Sequence, residues 1–167
     1  MSQAIISFFE GMHLSNELLV FVISLFPIIE LRGAIPVGFV LDMNPWVLYI
    51  LAVVGNLLPI PFILLLIRPI VQWFLKTKYF RRFGLWLEAK VEKHKHTVEK
   101  YEFWGLCLFV AIPLPGTGAW TGALIAAFLG MRLKKALPPI ILGVLIAGLI
   151  MVFGSSIVAF LVGLFTA

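Results

Sequence analysis

Long apolar runs alternate along this chain with polar interruptions of several kinds. Residues 46–67 and 137–165 carry no charged side chain at all. In the first of them the interruptions are Asn56 and the pair Pro59 and Pro61. A helix of its length reaches roughly 33 Å, about the thickness of a bilayer's hydrocarbon core. Both runs are expected to span a membrane, the second with some tilt. Residues 18–41 and 103–131 are equally apolar but broken. The first is cut by Pro27, by Glu30-Leu31-Arg32-Gly33 and by Pro36, the second by Pro113-Leu114-Pro115-Gly116-Thr117-Gly118. Proline removes a backbone donor and glycine permits a tight reversal. Limbs of about ten to thirteen residues cannot span alone, so each broken run is predicted to be a re-entrant hairpin.

Residues 68–102 have a different pattern. Phe83, Leu87, Val91, His94, Val98 and Tyr101 recur at spacings of three and four, a helical stripe, and Lys90, Lys93, Lys95 and Lys100 mostly fall off it. This is either a basic amphipathic helix on the cytoplasmic leaflet or a plain connecting helix with a solvated face. Residues 1–17 are too short and polar to span and are expected to form an interfacial helix or a frayed end.

Composition narrows the class. The 167 residues are 62% hydrophobic and 13% charged, with a mean hydropathy of +1.08. Soluble domains carry about 25% charged residues. A soluble enzyme, a nucleic-acid-binding module and a disordered chain are therefore excluded, and the net charge of +5 does not imply a nucleic-acid partner. Residues 1–17 contain no Lys or Arg, so no cleavable signal peptide is expected. Cys107 is the single cysteine, which leaves no disulfide framework and no thiol metal site. There is no phosphate-binding loop of the Walker type, and His94 and His96 have the wrong spacing for helical metal ligands. Gly154-Ser155-Ser156 lacks the context of a serine nucleophile. No enzyme activity, cofactor or metal is expected.

The distribution of charge predicts a topology. Nine of the 13 basic residues lie in 68–102, and Arg132, Lys134 and Lys135 follow 103–131. Were 103–131 a span, one basic flank would lie outside, against the positive-inside rule. A hairpin that opens inward removes the conflict. The flanks of 18–41 hold acidic residues and no Lys or Arg, so that hairpin opens outward. The expected fold is all-α integral membrane, one domain over 1–167, in which a re-entrant hairpin and a transmembrane helix form an inverted repeat. Gly33-Ala34 and Gly118-Ala119 are the short matches between its halves. Inverted repeats with broken helices are the architecture of secondary transporters. The chain is placed as multi-pass in the plasma (inner) membrane, with 68–102 cytoplasmic and both termini outside.

Glu30 and Arg32 are the sharpest chemical feature. Charges at membrane depth are unfavourable, about 2.5–3.5 kcal/mol each on insertion scales, and mark function. Between Pro27 and Pro36 the backbone is expected to be irregular, so that positions i and i+2 share a face. Glu30 would then take up a proton or bind a cation, and Arg32 would hold an anionic group or tune Glu30. The competing reading is a structural ion pair that locks the hairpin tip. Pro115, Gly116, Thr117 and Gly118 bring backbone amides and a hydroxyl to the opposite tip. They either bind an anion at a half-helix start or pack two hairpins closely through small residues. Asn56 either lines the same cavity or bonds between helices. Arg68 and Arg132 end apolar segments, as snorkelling anchors do.

The run Pro27-Ile28-Ile29-Glu30-Leu31-Arg32-Gly33-Ala34-Ile35-Pro36, with Pro113-Leu114-Pro115-Gly116-Thr117-Gly118-Ala119-Trp120, resembles the small multidrug export protein family. That family looks like a compact branch of the wider DedA/VTT group of membrane proteins. The resemblance covers nearly the whole chain and implies two facing re-entrant hairpins, inverted symmetry and transport. In the wider group, members are linked to lipid flipping or scrambling and to proton-dependent physiology, with essential acidic and Arg residues in the hairpin region. Glu30 and Arg32 match that chemistry. The group's second hairpin region often carries Arg, whereas here Arg132 follows it.

The expected function is a proton- or ion-coupled secondary transporter, or a lipid flippase or scramblase. Its partners would be membrane lipids and a small amphiphilic or anionic substrate, with a homo-oligomer as a further expectation. The alternative is a non-transporting membrane scaffold or assembly factor.

Overall fold

The computed structural model describes residues 15–66, 69, 95–114 and 116–166. The expected interfacial N-terminus and most of 68–102 lie outside these residues. Among the described residues every regular element is helical: α1 (Asn16–Leu25), α2 (Glu30–Val40), α3 (Pro45–Leu57), α4 (Lys95–Ala111), α5 (Ala119–Phe128) and α6 (Leu133–Thr166). The helix begun by α3 resumes after a turn at 58–59, giving a 22-residue stretch, Pro45–Leu66. Among the described residues, this and the 30 residues Leu133–Val162 are the two helices long and apolar enough to cross a membrane. The chain divides into two units, Met1–Leu58 with Val144–Ala167, and Pro59–Gly143.

In the first unit, Ser15 starts α1 by accepting a hydrogen bond from the Leu18 amide, and Glu17 lies in the first turn. Both satisfy the positive end of a helix. α1 stops before Pro27. The buried residues of α2 are Glu30, Leu31, Ala34, Ile35 and Gly38, the i, i+1, i+4 spacing of one helical face. α2 closes with a Schellman motif. Asp42 takes φ 53°, its amide donates to Phe39 O, and the Met43 amide donates to Gly38 O. α3 opens two residues later, with Asn44 Oδ1 accepting from the amides of Trp46 (2.9 Å) and Val47 (3.4 Å). Pro45 stands in the first turn, where its missing N–H is harmless.

Two glycines set the approach of these helices. A Cβ on Gly38 would meet the Leu48 side chain. A Cβ on Gly55 would meet the Ser24 hydroxyl and stand 2.8 Å from the carbonyl oxygen of Phe21. So α3 touches α2 near its start and α1 near its end. The same helix meets α6, where the Tyr49 ring lies against Gly148 and its hydroxyl donates to Leu145 O at 3.2 Å.

The second unit is built from the same kinds of parts. α4 and α5 are joined by a turn region, and a Cβ on Gly122 would meet Val110 at 2.6 Å. α5 closes with its own Schellman motif: Gly130 takes φ 68°, its amide donates to Ala127 O, and the Met131 amide donates to Ala126 O. On α6, a Cβ on Gly143 would stand 2.7 Å from Val110 Cβ and 2.8 Å from the carbonyl oxygen of Cys107.

Three pairs of devices on the second and third helices recur with one shift. Asp42 and Gly130, Pro45 and Leu133, and Gly55 and Gly143 are each 88 residues apart. In each series a helix, a break, a short helix with a Schellman end and a long helix follow in turn. In each, a glycine on the long helix packs onto a carbonyl of the first. The Gly33-Ala34 and Gly118-Ala119 match expected from sequence is displaced by about three residues from this register, because helix caps and packing glycines set the repeat.

One expectation is corrected. Residues 30–40 are helical, not irregular, although α2 contains Gly33 and Pro36. Proline in a helix removes one ladder bond, and the packing of Leu31, Ala34 and Ile35, each 1% exposed or less, outweighs that loss. α4 runs unbroken through Lys95–Ala111, across the expected start of the second hairpin.

Candidate functional site

Ser24, Glu30 and Asn56 are the buried polar residues of the described chain, at 0%, 4% and 1% exposure. All three belong to the first unit, and its helix register sets them at one level. Only residues 41–44 join α2 to α3, so the two helices run antiparallel. Leu48 lies against Gly38. Moving eight residues on from Leu48 gives Asn56, and eight back from Gly38 gives Glu30. Equal rise along both helices, about 12 Å, carries the pair to the same height. The intermediate positions Ala52 and Ala34 are both buried, as that register requires. Ser24 reaches the level from α1, through its contact with Gly55, the neighbour of Asn56.

Each of the three has a distinct state. Ser24 donates its proton to Phe21 O at 2.7 Å, which leaves the hydroxyl lone pairs to offer. Asn56 Oδ1 is buried and accepts no hydrogen bond from the described residues. Glu30 opens α2 with φ 51°, the left-handed region that a side chain other than glycine rarely adopts. Strain of this kind gathers at functional sites. Its own amide donates to Phe26 O at 2.9 Å, which holds the break between α1 and α2.

Arg32 lies two residues further on, half-buried, and its guanidinium interacts electrostatically with Glu30. Pro36, Phe39 and Val40 follow Arg32 at four, seven and eight residues, the spacing of one helix face. These three line a cavity of about 780 Å³ with Ile150, Gly154 and Val158 of α6, a size usual for small-ligand pockets. Arg32 therefore stands at the head of an apolar face.

The remaining expected positions belong to the second unit. Gly116 is exposed with φ 82°, and Gly118 is buried with φ 134° as the N-cap of α5. Thr117 Oγ lies 2.8 Å from Ile112 O and 2.9 Å from Leu114 O. Its proton is thus used to close the end of α4. Pro115 lies outside the described residues, as does Arg68. Arg132 is exposed just before α6. No group of three or more His, Cys, Asp or Glu among the described residues could hold a metal ion. Ser24 is the residue that sequence reasoning missed. Its signal was weak: one hydroxyl in an apolar run, three residues before Pro27.

No curated protein and no solved structure matches the chain. The model of a family described as small multi-drug export protein matches residues 30–150. That span opens on Glu30 and takes in the end of the first broken run and the whole of the second. The chain, an all-helical membrane protein with a carboxylate and a guanidinium at a helix break, belongs to the small multi-drug export protein family.

Proposed function

We propose that this protein is a cation-coupled membrane transporter whose site is the Glu30–Arg32 pair, and that it moves an amphiphilic or anionic substrate. The observation that carries the reading is the position of that pair, at a helix break level with Asn56, the midpoint of the 22-residue helix Pro45–Leu66. α1 and α2, of 10 and 11 residues, are about 15–17 Å long, half the thickness of a bilayer core. Their lengths fit a re-entrant hairpin with Glu30 at its tip. The recurrence of the same devices 88 residues on supports a second hairpin in α4 and α5, and the basic flanks of 103–131 support its opening inward. The two units then have inverted topology, with 68–102 cytoplasmic and both termini outside in the plasma membrane.

The chemistry follows from the pair. While Glu30 is an anion, its charge holds Arg32. A proton or another cation on Glu30 releases the guanidinium to an anionic head group, and the apolar face beginning at Pro36 takes the hydrophobic part. Cation and anion thereby favour each other's binding, and that coupling is reciprocal. Lipid flipping is one form of this activity, and it is the point where the likeness to the DedA/VTT group enters. A scaffold would need no such pair at mid-membrane.

Reconstitution tests the anion role. In vesicles holding NBD-labelled phosphatidylglycerol, Arg32→Ala is expected to slow protein-dependent flipping about tenfold or more, within the usual range of coupling energies. An Arg32→Ala rate equal to wild type would remove Arg32 from the site. Topology has its own test, on a Cys107→Ala background. Single cysteines at Lys95 and Lys134 are expected to react with an impermeant maleimide from the same, cytoplasmic face. Labelling from opposite faces would make 103–131 a span.

A further inference from the structure

Ser24, Glu30 and Asn56 bring oxygen groups to helix contacts that recur further along the chain without them. With the 88-residue shift, Glu30 corresponds to Gly118 and Asn56 to Val144. The contact that Gly55 makes with Ser24 on α1 is made by Gly143 with Val110 on α4. Val110 and Val144 are buried at 1% exposure each. The same helix packing therefore forms with apolar side chains at two of these positions and with none at the third. Ser24, Glu30 and Asn56 are not required by the packing they sit in.

What they share is oxygen with electron pairs to give. Asn56 Oδ1 is buried and accepts no hydrogen bond from the described residues. The Ser24 proton is committed to Phe21 O, so toward the level of Asn56 the hydroxyl offers lone pairs. Glu30 supplies a carboxylate and the local negative charge. The level also coincides with the C-terminal end of α1, whose last carbonyls carry the negative end of the helix dipole. Broken helices in transporters use such ends to coordinate cations. A proton on Glu30 needs one acceptor. An amide oxygen and a hydroxyl in addition to the carboxylate are the ligand set of a small, hard cation.

We propose that Ser24, Glu30 and Asn56 form a binding site for a monovalent cation of the Na+ class. The proposal rests on the transport reading only in naming the coupling ion, because Na+ at Glu30 competes with Arg32 for the carboxylate and frees the guanidinium. Divalent ions are disfavoured by the single carboxylate and by the neighbouring guanidinium.

The test is thermal unfolding of the purified full-length protein in detergent, at fixed pH and ionic strength, with NaCl exchanged for choline chloride. Na+ is expected to raise the unfolding midpoint with saturation, and K+ to do so at tenfold or higher concentration. Glu30→Gln and Asn56→Val are expected to abolish the Na+ effect, Val being the residue that α6 carries 88 positions on, at Val144. Ser24→Ala, a smaller change, is expected to raise the half-saturating Na+ about tenfold, and it serves if Asn56→Val does not fold. A midpoint indifferent to Na+ in the wild type overturns the site, as does an undiminished Na+ effect in Asn56→Val or Ser24→Ala. A midpoint that moves with pH and not with Na+ also overturns it, and assigns the coupling ion as a proton. Na+ binding without substrate movement in vesicles would sink the transport reading and leave the site standing. Movement without any Na+ effect would do the reverse.

Discussion

Glu30→Gln is expected to uncouple the protein from its cation. Glutamine keeps the size of the side chain and a hydrogen-bonding oxygen but removes the negative charge. Three consequences follow from the geometry. First, Arg32 loses the carboxylate that holds it electrostatically, so anion binding ceases to depend on the coupling cation. Second, a cation gradient no longer drives substrate, and gradient-driven flux in vesicles falls by roughly tenfold to a hundredfold, the range of ordinary coupling free energies. Third, exchange of substrate without a gradient persists, since the guanidinium is still present. A structural lock behaves differently. Were Glu30 only the partner that pins the break between α1 and α2, its neutralisation would leave a buried guanidinium without compensation and lower stability. Driven flux and exchange would then fall together, with the unfolding midpoint. The ratio of driven flux to exchange separates the two roles.

Gly55→Ala is expected to destabilise the first unit by about 1–3 kcal/mol, the usual penalty for overpacking a close helix contact. A Cβ there would press on the Ser24 hydroxyl and stand 2.8 Å from Phe21 O, and the backbone of α1 cannot move away as a side-chain tip could. Small residues are what let apolar helices approach to this distance in a membrane. Gly154→Ala is the control, because nothing lies within 4 Å of a Cβ at that position. Unfolding midpoints in detergent should fall for Gly55→Ala and hold for Gly154→Ala. Equal midpoints for both would mean that α1 and α3 are not packed as described.

The spanning helices were legible in the chain because uncharged apolar runs of that length have few alternatives. The expected 46–67 and 137–165 compare with Pro45–Leu66 and Leu133–Thr166. The break at Pro27 was legible for the same local reason. The resumption of helix through Gly33 and Pro36 was not, since it depends on tertiary burial of Leu31, Ala34 and Ile35. Glu30 and Arg32 announced themselves as charges in an apolar run. Their relation to Asn56 did not, because it needs the antiparallel register fixed by Gly38 and Leu48. Ser24 was invisible for a further reason: a single serine in an apolar helix is common, and only its contact with Gly55 places it beside the other two. The register between similar devices was not legible either. Two adjacent identities pointed to a shift of 85, whereas the caps and packing glycines, which differ in residue type between Asp42 and Gly130, give 88.

The central claim is that this chain alone couples a cation gradient to the movement of an anionic amphiphile. Its most direct test is the purified wild-type protein in vesicles, with NBD-labelled phosphatidylglycerol as probe and a Na+ or proton gradient imposed across the membrane. One of these gradients is expected to shift the probe between leaflets faster than in protein-free vesicles, and collapsing the gradient is expected to remove the acceleration. Folded, correctly inserted protein that leaves the probe's distribution and rate unchanged under both gradients would contradict it.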